Sequence, residues 1–497
     1  MRLRSLPACA AALAAISVLV CAAPALHADT IDQPDTSTAP GVSVTPGTAP
    51  LDAETKTPAD TATGAADHTG PIISPTLAQE VQAKTRVRSI IQLKPGQSVE
   101  AVANDLRQAS TSSRILEAAA SPNFFVAEVD QPMLAKLKED GRVQSVYKDE
   151  LRAPALDAST RLIRSNRANQ AGWTGKGTTV AIVDTGIDRD HPFFARRLVD
   201  EACFSSSDAG DGTVSLCPNN QPSQTGRGAA DAETAQCVVG ADNICAHGSH
   251  VAGIAAGRMT RGAPANGVAP AAGILAIQVF SRVDSPLTCR IGGTTAPCLL
   301  SYTSNQKLAL EYVARLARTH NIAAVNMSLG GGGPHTTACD ADPSDAAVKP
   351  EFDTLVSLGV APVVSAGNNG FANGVSAPAC VSTAVTVGAT DNSDALAAFT
   401  NRGPLLDLLA PGVRITSAVP RGMYYDMSGT SMAAPHVAGM FALMKQAYPD
   451  FTVAQSLQQL QVTGAPIQYR ADGIPVITAR LDAERATASA SAARAAA

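Results

Sequence analysis

Six short runs rich in Val, Ile, Leu and Ala, at residues 179–183, 274–280, 323–327, 361–364, 384–387 and 408–410, constrain this chain most. A strand that is apolar at every position needs cover on both faces, because successive side chains point to opposite sides. Helix-like stretches at 250–256, 304–319, 353–358 and 433–447 alternate with the runs. That alternation predicts an α/β fold with a mainly parallel central sheet between helical layers. Functional residues are then expected just past the carboxyl ends of the strands.

Composition narrows the function classes. Hydrophobic residues make up 45% of the 497, enough for a large core, while charged residues are only 16%, against about 25% in an average soluble domain. A net charge of −5 provides no basic stripe for a nucleic-acid backbone, and 4% aromatics with the single Trp173 offer no base-stacking platform.

Before the sheet-forming region the chain changes character several times. Arg2 and Arg4 precede an uncharged apolar run over 6–26 that ends in small residues, the pattern of a secretory signal peptide spanning 1–28. An uncleaved anchor helix is the alternative; Pro24 and the polar stretch beyond favour cleavage. Residues 29–78 are Pro, Thr, Ala, Asp and Gly with few large apolar groups, and read as a disordered spacer. A small α+β unit follows, with strands at 88–93, 123–129 and 143–147 and helices at 99–108 and 131–140, then a polar, Arg-rich stretch over 151–169. The domain reading is therefore 79–155 and 156–497 after the spacer.

Removal of a signal peptide takes away Cys9 and Cys21 and leaves eight cysteines in an exported chain, enough for four disulfides. Many pairings are open to eight cysteines; joining near neighbours gives Cys203–Cys217, Cys237–Cys245, Cys289–Cys298 and Cys339–Cys380. No C-x-x-C spacing supports a zinc site, and no later segment reads as a transmembrane helix.

Three segments carry chemistry: VAIVDTGID with Asp184 past a buried strand, AHGSHVAGIAAG with His247 opening a small-residue helix, and MSGTSMAAPHVAGM with Ser431 at a helix start and Pro435 in its first turn. A serine hydroxyl needs an imidazole to take its proton, and the imidazole needs a carboxylate to fix its tautomer and stabilise its cation. A helix N-terminus adds a dipole and a backbone N–H where an oxyanion develops. In VVSAGNNG, Asn368 is a candidate second donor to that oxyanion.

Blander readings account for other residues. Asp184 lacks the second D-T-G of an aspartic protease. His247 and His250 lack the H-E-x-x-H spacing of a metal pair. His250 and His436 read as packed helix residues, and Asp188 and Asp190 as loop-capping or exposed residues. The glycine run 330–333 has no following Lys-Ser/Thr, so it is not a phosphate loop.

The three segments, in the order Asp, His, Ser, resemble those of the subtilases, the subtilisin-like serine proteases; the resemblance runs over roughly 171–486. It implies a subtilisin-like three-layer fold and a secreted serine endopeptidase that hydrolyses proteins through an acyl-enzyme. Asp184 would be the orienting acid, His247 the general base and acid, Ser431 the nucleophile and Asn368 an oxyanion donor. Ser328, Leu329 and Gly330 would pair with an extended substrate, and Ser365, Ala366 and Gly367 would face them across the pocket. The α+β unit is similar in layout to the family's inhibitor-like propeptide, which would block the cleft until self-cleavage between about Leu151 and Ser159. RLDAERA looks like the family's closing helix, followed by an Ala-rich fraying tail. The expected partners are protein or peptide substrates and the chain's own propeptide, with no nucleic acid, no membrane span in the mature form and a monomeric state. No cofactor or metal is expected for catalysis. The usual calcium loop is not recognisable at 257–270, and Phe193 stands where an acidic ligand belongs, though a structural calcium elsewhere stays open. A narrow-specificity processing protease and a silent peptide-binding fold are the competing functions.

Overall fold

The computed structural model describes residues 71–73, 75–83, 86–109, 114–117, 124–148, 155–291 and 294–496. The signal peptide, most of the spacer and residues 149–154 lie outside the described residues.

The N-terminal module has all five elements expected for it, with ends shifted by a residue or so: strands Val87–Leu93, Phe124–Val129 and Val143–Lys148, helices Val99–Ala109 and Gln131–Glu139. It also starts earlier than the spacer boundary implied. Strand Ile72–Ile73 pairs with Val143–Lys148, and helix Pro75–Ala83 buries Leu77 and Val81 against Ile91, Phe125 and Leu137. Those two apolar residues, four apart, were masked in the sequence by polar neighbours. Strand Arg114–Glu117 completes a five-stranded sheet. Asp130 caps helix Gln131–Glu139, its carboxylate accepting from the Met133 N–H at 2.9 Å.

In the larger part of the chain the sheet is built from β1 (Thr179–Asp184), β2 (Leu198–Phe204), β3 (Ser223–Thr225), β4 (Gly273–Gln278), β5 (Ile322–Met327), β6 (Ala361–Ser365), β7 (Val385–Thr390), β8 (Leu408–Pro411), β9 (Ala465–Ala471) and β10 (Ile474–Arg480). Their spatial order is β9-β10-β8-β7-β6-β5-β1-β4-β2-β3. From β10 to β2 all neighbours run parallel; only the edge strands β9 and β3 are antiparallel. Each of the six apolar runs is a strand of the interior of this sheet, as expected for residues buried on both faces. The chain leaves β1 toward β2 on one side and leaves its neighbour β5 toward β6, β7 and β8 on the other, so the connections diverge between β1 and β5, where α/β sheets place their sites.

Helices α1 (Ala246–Ala256) and α4 (Thr430–Ala447) lie on one face, within a core that includes Val180, Ile182, Ile254, Val437 and Leu443. Helices α2 (Thr303–Leu316) and α3 (Lys349–Ser357) belong to the other, with Val183, Leu275, Val313, Val325 and Phe352. α4 begins at Thr430, three residues earlier than its apolar run, so Pro435 is its sixth residue rather than in the first turn.

The outer strands were harder to see. Leu198–Phe204 carries Asp200 and Glu201 within an otherwise strand-like run. The hairpin β9–β10 alternates exposed and covered positions, and its turn is Asp472-Gly473, both with positive φ, a legible hairpin signal. The Arg-rich stretch forms two short helices, Ala155–Leu162 and Ser165–Gln170. Leu156 and Ile163 are fully buried in the core beside α1 and α4, and Arg164 pairs with Asp482 and Glu484. The closing helix is only Ala483–Ala486; a second helix, Ala488–Ala496, takes up the Ala-rich tail, where Ser491 accepts from Trp173 Nε1 at 2.7 Å.

The four near-neighbour disulfides are all formed, with sequence separations of 14, 8, 9 and 41 residues. If each acts mainly by restricting the unfolded chain, Cys339–Cys380 contributes about 4 kcal/mol and Cys237–Cys245 about 2.5 kcal/mol. In a Ser431→Ala background, replacing the first pair by serines should therefore lower the denaturation midpoint more than replacing the second. Equal midpoints for both variants and the parent would contradict that role.

Candidate active site

The site is assembled from the carboxyl ends of β1, β5 and β6 and the N-termini of α1 and α4. Asp184, the last residue of β1, is fully buried. Its Oδ1 accepts from the Thr185 N–H at 2.8 Å and from His247 Nδ1 at 2.7 Å. With Nδ1 donating to the carboxylate, Nε2 is the nitrogen left to accept a proton. Thr185 locks the strand to the helix: its hydroxyl donates to the Cys245 carbonyl at 2.9 Å and accepts from the Gly248 N–H at 2.8 Å. A Cβ on Gly248 would lie 2.2 Å from the Gly186 carbonyl oxygen, so α1 can sit this close to the β1 turn only with glycine there.

The electrostatics of His247 follow from the pair. Partial burial, with 30% of the side chain exposed, opposes its protonation. The charge of Asp184 and the hydrogen bond to it more than offset that, and the imidazole pKa is raised above its ordinary value.

Ser431 is the second residue of α4, in the first turn, where backbone N–H groups have no intrahelical acceptor. Ser328 Oγ donates to the Ser431 carbonyl at 2.9 Å, and Ser431 Oγ lies 3.4 Å from the Ser328 carbonyl oxygen. Among the described residues the hydroxyl's partner is that carbonyl rather than the imidazole of His247, which lines the same cleft. Asn368 Oδ1 accepts from both the N–H and the hydroxyl of Thr430, at 2.8 and 2.9 Å. That leaves the NH₂ end of Asn368 as the donor available to a ligand. The Gly367 N–H reaches the same Thr430 hydroxyl at 3.2 Å. Thr185 and Thr430 were absent from the sequence reading. Both immediately neighbour residues that were singled out, and their short hydroxyls are suited to bridging backbone groups.

A cleft of about 1220 Å³ brings the expected residues together: His247, Ser431, Asn368, Ser328, Leu329, Gly330, Ser365 and Gly367 all line it. Asp184 and Ala366 lie beneath the surface, both fully buried; the methyl of Ala366 packs in the core on the α2–α3 face of the sheet. His250 and His436 are also fully buried. His250 Nε2 is 3.0 Å from the Tyr425 carbonyl, and His436 bridges the Met432 carbonyl and Ser159 Oγ. Burial pushes their pKa values down to about 3 and about 4.

Asp188 caps its loop as expected, accepting from the His191 and Gly422 N–H groups. Asp188, Asp190 and Glu233 place carboxylate oxygens within 4.8 Å of one another, but both Asp188 oxygens already have these backbone donors. Where the family's calcium loop would be sought, the residues do not fit a divalent cation. The buried guanidinium of Arg197 instead donates to the carbonyls of Phe193, Ala256 and Ala272, and burial lowers its pKa to about 10.

A sequence profile described as the subtilase family matches residues 175–491. Subtilisin E of Bacillus subtilis is 30% identical over 348 residues, 69% of this chain and 75% of that protein. Subtilisin Savinase of Lederbergia lenta is 30% identical over 305 residues, 61% of this chain and 90% of that protein. A crystal structure of a cold-adapted subtilisin-like serine proteinase aligns over 62% of this chain and 90% of its own at 28% identity, with a TM-score of 0.44.

The Asp184–His247 pair predicts a titration. Histidine NMR of the Ser431→Ala variant should give an imidazole pKa for His247 above the ordinary value of about 6.5. Asp184→Asn in that background should move it down, because only the opposing effect of burial remains. An unchanged pKa would mean that the carboxylate does not control the imidazole.

Proposed function

Because this chain belongs to the subtilase family and is thus a serine endopeptidase acting on proteins, we propose that Asp184, His247 and Ser431 are its catalytic triad. The observation that carries this assignment is the 2.7 Å contact from His247 Nδ1 to the buried Asp184, in a cleft that also exposes Ser431. Ser431 Oγ attacks the scissile carbonyl as its proton passes to His247 Nε2. Asp184 stays ionised and stabilises the imidazolium. The tetrahedral oxyanion is held by the Asn368 NH₂ group and the Ser431 N–H. Losing one such donor costs serine proteases about 10²–10³ in turnover. His247 then protonates the leaving amine, and water activated by the same imidazole hydrolyses the acyl-enzyme. No cofactor takes part in these steps.

Substrate would lie extended along Ser328, Leu329 and Gly330, adding a strand to that edge. Ser365 and Gly367 form the facing wall, and Ala366 supports it from below. The small, uncharged walls suit an apolar or aromatic side chain before the scissile bond. Four disulfides and the apolar N-terminal run support export, with the chain acting outside the cytoplasm. No described helix is long and apolar enough to cross a membrane.

The N-terminal module would act as an inhibitory propeptide released by self-cleavage. Leu156 and Ser159 are fully buried, and Ser159 Oγ is 2.9 Å from His436 Nε2 inside α4. A cut beyond them would strip a piece of core from the catalytic unit. Cleavage is therefore placed before Ala155, at the N-terminal end of the range suggested by sequence. Purified Ser431→Ala protein should stay at precursor mass, while the active chain acquires a new N-terminus at or before residue 155. Self-processing of the Ser431→Ala protein would overturn the assignment.

A further inference from the structure

Among the described residues that line the cleft, Asp345 alone carries a formal charge, the imidazole of His247 aside. We propose that Asp345 is a specificity residue that selects a basic side chain, lysine or arginine, in a substrate bound in this cleft. The inference rests on the protease reading above.

The loop bearing Asp345 is built to hold it. Its base is tied by the Cys339–Cys380 disulfide and by the Cys339 N–H to the Cys380 carbonyl at 3.0 Å. Asp340 accepts from the N–H and hydroxyl of Ser382 on the far side of that disulfide. Asp342 Oδ1 then accepts from the N–H groups of Ser344 and Asp345, at 2.8 and 3.1 Å, fixing the backbone from which the Asp345 side chain leaves. His335 Nε2 stands 3.1 Å from Asp345 Oδ2, while 34% of the Asp345 side chain remains exposed.

Two lysines that border this loop, Lys307 and Lys349, are engaged elsewhere. Lys307 donates to Glu351 at 2.6 Å and to the Ala347 carbonyl at 2.9 Å. Lys349 pairs with Asp353 at 2.8 Å and faces Asp340 at 3.7 Å. Neither of these lysines pairs with Asp345, and a substrate cation can meet its exposed part. Ala347 and Val348 line the same cleft. Lysine and arginine match that combination, laying an aliphatic stem on apolar surface and carrying a charged head to its edge. A glutamate or aspartate would meet like charge.

The test compares processed enzyme with its Asp345→Asn and Asp345→Lys variants on a peptide library, all at the same pH and ionic strength. Wild type should prefer Lys or Arg at one substrate position. Asp345→Asn should lower the basic-to-neutral ratio of kcat/KM there three- to fivefold, mainly through KM, the size expected of a partly exposed ion pair. Asp345→Lys should invert the preference toward Glu or Asp. No basic preference in wild type, or a ratio unmoved by both substitutions, overturns the proposal. Hydrolysis of a small neutral ester by the same samples reports the protease reading separately. If the ester too is untouched, calorimetric binding of basic and neutral peptides to the same proteins still decides the role of Asp345.

Discussion

The cleft depends on how closely two small-residue helices, α1 and α4, approach each other and the sheet. Each carries one of the proposed reacting groups in its first turn, His247 and Ser431. Their separation is set by backbone packing, since neither group touches the other through a long side chain. At Gly439 in α4, a Cβ would lie 2.6 Å from the Ala255 carbonyl of α1. At Gly248 one would strike the Gly186 carbonyl just past β1. Enlarging either residue pushes a helix outward and moves acid, base or nucleophile by an ångström or more, a displacement large enough to disable such chemistry.

The same packing explains how a buried carboxylate is held in place. Asp184 lies at the carboxyl end of a strand with apolar residues on both faces, where an isolated anion would be costly. The Thr185 N–H and the His247 imidazole supply hydrogen bonds to Oδ1, and the mutual attraction raises the basicity of the imidazole. Structure and chemistry are coupled through one short contact. Thr185 and Thr430 act as spacers: the Thr185 hydroxyl ties the end of β1 to the backbone of Cys245 and Gly248 at the start of α1, and Thr430 ties the start of α4 to the Gly367 N–H and the Asn368 side chain, so that the positions of His247 and Asn368 follow from the fold.

Much of this was legible in the residues. The six apolar runs are interior strands of the sheet because burial on both faces leaves no polar position to disguise them. Asp184, His247, Ser431 and Asn368 stood out because short polar residues interrupt apolar or small-residue runs where strands end and helices begin. Elements at the periphery were less legible. Leu198–Phe204 is buried over its last four residues but carries Asp200 and the Arg189-paired Glu201, and the Ala465–Arg480 hairpin alternates covered and exposed positions, so polar residues diluted the pattern in both. Leu77 and Val81 were too few to mark a helix against the Pro- and Thr-rich stretch before them. The helices after residue 155 were hidden by their arginines, whose partners Asp482 and Glu484 lie more than 300 residues away and become neighbours only in the folded chain. The placement of Arg197 among three carbonyls depends on tertiary geometry that no local pattern encodes.

The central claim is that Ser431 is a nucleophile activated by His247 and Asp184. The most direct measurement is reaction of the processed enzyme with a fluorophosphonate, followed by peptide mapping of the adduct. The account predicts a single stoichiometric adduct on Ser431, formed far more slowly in the Asp184→Asn variant. Failure to label Ser431, or labelling of Ser431 at an undiminished rate without the Asp184 carboxylate, would contradict it.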